Sequence, residues 1–102
     1  MIIPIQRENI PYRFEVELDD VFEFELHYNS EHDFFTVDLH KEGEVLIFGE
    51  KVVYGVPLFI NYSDERFPQV TIIPTDKAGN EDRVTYDNLG HTVFLFVGDP
   101  NE

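Results

Sequence analysis

The chain has no cysteine, no tryptophan, one methionine, two serines, and only seven basic residues against 21 acidic ones. Without cysteine neither a disulfide framework nor a thiolate metal site can form. The two serines, Ser30 and Ser63, both lie outside any Gly-x-Ser-x-Gly elbow, so nothing points to a serine nucleophile. With no tryptophan, a sugar-stacking platform would fall to Tyr12, Tyr28, Tyr54 or Tyr62, and their spacing singles out none of them. No apolar run approaches the roughly 20 residues that cross a bilayer. The opening MIIPIQRENIP has neither a basic n-region nor a long apolar h-region, so a chain kept in solution and off the membrane is expected. The scarcity of basic residues leaves a formal charge of −14. Such a surface repels phosphate, which disfavours direct nucleic-acid binding and points to partners that are basic or chiefly apolar. Sustained helical periodicity, internal repeats and low-complexity tracts are absent as well.

What the sequence does have is aromatic residues, ten phenylalanines and five tyrosines in 102 positions, enough for one hydrophobic core and one domain spanning 1–102. The longest apolar stretch is VLIFGEKVVYGVPLFINY, Val45 to Tyr62. Its run Val45–Phe48 predicts a strand buried on both faces. Gly49 supplies a bend, Val52–Val53 resume extended structure, and Gly55-Val56-Pro57 forces a corner, because Pro57 lacks an N–H and holds Val56 out of the helical region. Leu58–Ile60 then predicts a second buried segment.

Around this stretch the pattern is one of short alternating strands. Tyr12–Leu18 places Tyr12, Phe14, Val16 and Leu18 on one face and Arg13, Glu15 and Glu17 on the other. Phe22–Tyr28 repeats the period, so the two predict an antiparallel hairpin turning at Asp19-Asp20, with one dry and one acidic face. Asn29–Asp33 predicts a further turn, Phe34–Leu39 a strand, and Lys41–Glu44 another turn. Beyond the irregular Asn61–Pro68, strands are expected at Gln69–Ile73 (ended by Pro74), briefly at Val84–Tyr86, and at His91–Val97 after the turn Asp87-Asn88-Leu89-Gly90. The start, residues 1–6, is interrupted by Pro4 and suits an edge strand or a docking arm, with Ile2, Ile3 and Ile5 as interface anchors. Gly55, Pro57, Asn88 and Gly90 are the residues expected to set turn geometry. The expected fold is all-β: a small, mostly antiparallel barrel or sandwich of six to eight short strands.

Four histidines, His27, His32, His40 and His91, lie among many carboxylates, but no pair has a ligand spacing that strand or turn geometry would make persuasive, so no metal site is expected. Asp76–Asp82 lacks the ligand order and closing glutamate of a calcium loop and predicts an ordinary turn. Glu15 with Glu17, or Glu23 with Glu25, offers paired carboxylates, which on alternating strands more often form a wet face than an acid–base couple.

Four segments carry a resemblance to a known family: the opening MIIPI, LHYNSEHDFFTVDLH, GEKVVYGVPLFINY and YDNLGHTVFLF. In order and spacing, from end to end, the chain resembles the small baseplate plug proteins of contractile-tailed bacteriophages and related prophages. It differs in having Phe59 in place of a second leucine, in its greater acidity, and in the absence of glycine between Ser63 and Pro68. The motifs are turn and packing signatures. The resemblance therefore implies a structural, non-enzymatic virion component without cofactor, held at the central hub by contacts with other baseplate, hub or tube proteins in a multi-subunit assembly. In that setting the carboxylates Glu15, Glu17, Glu23 and Glu25 would present like charge to passing DNA. From composition alone, a free-standing β-module that binds a small ligand or a basic protein is the alternative.

Overall fold

The computed structural model describes residues 1–62 and 64–98. It is all-β, with seven strands: β1 (Ile2–Ile3), β2 (Tyr12–Glu17), β3 (Val21–Asn29), β4 (Phe34–Lys41), β5 (Glu44–Lys51), β6 (Thr71–Thr75) and β7 (Phe94–Gly98). A single 3-10 turn at Arg7–Asn9 is the one helical element among the described residues. The strands form two antiparallel sheets, a four-stranded one in the order β2-β3-β4-β5 and a three-stranded one in the order β1-β7-β6. Neither closes into a barrel.

The four-stranded sheet follows directly from the alternating pattern. Phe14 pairs with Phe24 and Val16 with Phe22 across β2 and β3, and Phe24 in turn pairs with Leu39 and Leu26 with Val37 across β3 and β4. These apolar side chains therefore share one face. The three-stranded sheet adds Ile3, Ile72 and Leu95 to the same core, and Leu58, Phe59, Phe67, Val84, Leu89 and Val93 fill it from the connecting segments. Phe24 meets Phe59 edge-on with ring centroids 6.0 Å apart, joining the sheet to the long connection after β5. Full burial of such a ring contributes roughly 1.5–3 kcal/mol.

Several expectations are corrected by this arrangement. The run Val45–Phe48 is not buried on both faces: β5 is an edge strand, and Phe48 is 71% exposed. A short apolar run does not say how many neighbours its strand has. Leu58–Ile60 is a turn, with Phe59 at φ 63° and its N–H donated to the Glu50 carboxylate at 2.6 Å. Leu58 and Phe59 are buried nonetheless, while Ile60 is exposed. Pro74 lies inside β6, not beyond it. The Ile72 and Pro74 carbonyls face away from β7 and accept the N–H groups of Leu58 and Gly55, each at 2.8 Å. The missing proline N–H thus removes nothing from the β7 ladder. No strand forms at Val84–Tyr86, where the Asp33 carboxylate takes the Tyr86 N–H at 2.9 Å. The last strand starts at Phe94 because the His91 and Thr92 N–H groups turn back to the Asn88 carbonyl at 3.0 and 2.9 Å.

Candidate functional site

Of the residues expected to set turns, Gly55, Asn88 and Gly90 lie in turns and Pro57 lies just beyond one. Gly55 has φ 73° and caps the free edge of β6 through its N–H, with half-buried Pro57 continuing that segment. Gly90 has φ 82°, donates its N–H to the Val93 carbonyl at 2.7 Å, and faces Ile5, whose carbonyl oxygen would lie 3.2 Å from any Cβ added there. Asn88 is buried and organises the loop around it. Its Oδ1 accepts the Thr85 N–H at 2.8 Å, and its Nδ2 donates to the Arg83 carbonyl at 2.9 Å and to Glu81 at 3.2 Å.

The opening residues form an edge strand on β7. Ile2 pairs with Phe96 and Ile3 with Leu95. Ile3 is 0% exposed and belongs to the core, Ile5 is half-buried against Gly90, and Ile2 is 42% exposed. Of the three, Ile2 offers the most surface to a neighbour. Other large apolar side chains left in solvent include Met1, Phe48, Ile60 and Tyr62, the last stacked on Phe67 at 5.0 Å.

The outer face of the four-stranded sheet is where charge gathers. Glu15 lies directly opposite Glu23, and Arg13 opposite Glu25. Glu23 also faces His40, and Glu25 faces Asp38. Arg13 is the basic partner of this group, 3.3 Å from Glu25 and 3.9 Å from Glu23. His27 Nε2 lies 2.8 Å from Glu25 Oε2 and 3.1 Å from Asp38 Oδ2, and its hydrogen bond, with help from Arg13, holds the Glu25 carboxyl below the usual glutamate range. Asp38 is 7% exposed, and its other oxygen accepts the Gly49 N–H at 2.8 Å. The register shift around Asp38 and the φ of 71° at Gly49 bring these two groups together. His40, also buried on this side under Phe48, has an Nε2 with no hydrogen-bond partner.

Chain spacing hid the grouping of Glu25, His27 and Asp38. Glu25 and His27 are two apart on one strand, but Asp38 arrives through cross-strand register, which only the completed hairpin fixes. The signal available in the sequence was the polar half of two alternating strands flanking one turn.

The remaining candidates are occupied by structure. Asp76 accepts the Ala78 and Asn80 N–H groups, both at 3.0 Å, which makes it a turn former. Tyr12 accepts the Gln6 N–H, Tyr54 accepts the Asp76 N–H, and Tyr28 donates to Asp33 at 2.7 Å. Ser30 is an exposed turn residue, and Ser63 lies outside the described residues.

A family model described as the cyanophage baseplate Pam3 plug gp18 matches residues 1–100. No curated protein matches the chain.

Proposed function

The chain belongs to the cyanophage baseplate plug family, a structural component of the virion's tail baseplate, and from that premise we propose that it sits at the central hub and works through protein–protein contacts without catalysis. The family match over residues 1–100 carries the proposal. The surface supports it: large apolar side chains at Ile2, Phe48 and Ile60 stand in solvent, each suited to anchor a neighbouring baseplate, hub or tube protein. Within that role the outer sheet face, bearing Glu15, Glu17, Glu23 and Glu25, is turned toward the DNA path. An acidic wall releases no counterions to passing phosphates and repels them over about 8 Å at physiological salt.

An electron-microscopy map of intact tail tips tests the position. Density for this chain on the tail axis is expected, and density confined to the periphery would overturn the proposal. In the same particles Phe48→Ala, at an exposed position, should leave the purified chain folded and lower its incorporation. Incorporation equal to the parent would remove Phe48 from the interface. Particles carrying Glu15→Lys, Glu17→Lys and Glu23→Lys should assemble and eject DNA poorly; normal infectivity would separate the acidic face from DNA passage.

A further inference from the structure

We propose that Glu25, His27 and Asp38 form a binding site for one divalent transition cation of the zinc class. One ligand atom from each of Glu25, His27 and Asp38 lies within 4.8 Å of the other two. Two residues alternate on β3 and so project to the same face, and the third stands opposite on β4. Such a placement needs no loop to close it.

The proton count at this point is short. Two carboxylate oxygens and one imidazole nitrogen converge at 2.8 and 3.1 Å. Whether the imidazole is neutral or charged, its Nε2 carries at most one hydrogen. One hydrogen cannot make two straight hydrogen bonds, and Asp38, the more buried acid, has only the Gly49 N–H besides. A buried carboxylate in that state is expensive unless a cation neutralises it. A dication meets two anionic ligands with no net charge left over.

The surroundings are arranged as outer-shell support is. Each carboxylate has one oxygen held by a fixed donor, Arg13 on Glu25 Oε1 and the Gly49 N–H on Asp38 Oδ1, and turns the other oxygen inward. Zinc takes nitrogen and oxygen ligands at about 2.0–2.2 Å, so the edges of a tetrahedral site are roughly 3.3–3.6 Å. The two edges at His27 Nε2, 2.8 and 3.1 Å, need to open by roughly 0.2–0.8 Å to reach that range. His27 and Glu25 are partly exposed, which leaves the fourth position to water. An imidazole with two carboxylates suits zinc better than magnesium or calcium, which prefer all-oxygen shells.

Isothermal titration of the purified, chelator-treated full chain with zinc chloride in excess magnesium tests the proposal. One saturable equivalent is expected, and cobalt(II) in its place should show the intense visible absorption of a tetrahedral site. His27→Ala, at a part-exposed position, should weaken zinc binding more than about 100-fold, beyond the 10–100-fold that loss of an outer-shell partner gives. Glu17→Gln, on the same face outside the trio, should bind as the parent does. No saturable binding, or binding that survives His27→Ala at parental strength, overturns the proposal. Both outcomes leave the baseplate role untouched, since the measurement is made on the isolated chain.

Discussion

Asn88→Ala is the substitution that best separates a side chain that builds the fold from one that merely sits in a turn. The Asn88 amide makes three hydrogen bonds, to the Thr85 N–H, the Arg83 carbonyl and Glu81, from a buried position. Its backbone carbonyl meanwhile gathers the N–H groups of His91, Thr92 and Val93. Alanine keeps the backbone but leaves the Thr85 N–H and the Arg83 carbonyl without the partner that satisfies them. At about 1 kcal/mol for each bond, and more where a buried group is stranded, the expected loss is about 2–4 kcal/mol. Urea unfolding followed by circular dichroism measures it as a lowered midpoint with an unchanged slope. Thr92→Val is the control: its hydroxyl reaches Glu81 only at 3.4 Å and is exposed, so its effect should stay within about 0.5 kcal/mol. If Asn88→Ala loses less than about 1 kcal/mol, the loop is held by its backbone, and the side-chain network is incidental.

Two further outcomes follow from the same region and its neighbours. Gly90→Ala should destabilise by about 1–3 kcal/mol and Gly55→Ala by less, because both hold a positive φ but only at Gly90 would the new Cβ press on a backbone atom, the Ile5 carbonyl; equal melting of the two variants would refute the contact. The Tyr28 phenol, hydrogen-bonded to Asp33, has its pKa pushed up to about 12, while the same bond and the Tyr86 N–H hold Asp33 below the usual aspartate range. The Tyr28 contribution to stability is present below the unfolded value near pH 10 and is lost as the pH rises toward about 12; that of Asp33 is present above about pH 4 and is lost as the pH falls through its depressed value. Phenolate absorbance should therefore show one late-titrating tyrosine that disappears in Tyr28→Phe, and its persistence in that variant would assign it elsewhere.

How much of this was legible depended on whether local pattern or tertiary partners decided the outcome. Tyr12–Leu18 and Phe22–Tyr28 alternate strictly, and a one-residue slip would turn every phenylalanine to solvent, so the sequence specifies their register. Val45–Phe48 carries no such information. Its exposure goes with the place of β5 at the edge of the sheet among the described residues, a property of the whole sheet. Val84–Tyr86 failed as a strand for a different reason, since distant groups take its backbone: the Asp33 carboxylate accepts the Tyr86 N–H, and the Arg7 guanidinium donates to the Tyr86 carbonyl at 2.6 Å. The acidic face was visible as alternation. Its internal pairing, with Asp38 brought beside His27, required register and a bulge that a single strand does not display.

The sheet edges bear on how such a protein joins its neighbours. Two sheets leave four edges, and each is blunted. β1 is two residues long, and the Gly55 and Leu58 N–H groups cover β6. β2 carries Arg13, Glu15 and Glu17 on its exposed side, and β5 carries Glu44 and Lys51 and bends at Gly49. Short, covered, charged or bulged edges are the devices that prevent strand addition between copies. Large apolar side chains stand exposed all the same at Phe48, Ile60 and Ile2, the positions the hub proposal would use as anchors. The placement of charge fits the same division. Solubility alone requires net charge but no particular position, and loops would carry it without repulsion. Here Glu15 and Glu23 stand directly opposite, an arrangement that destabilises the isolated sheet. Net charge for solubility does not call for that register, so the pairing is a property of this face and not of the overall charge.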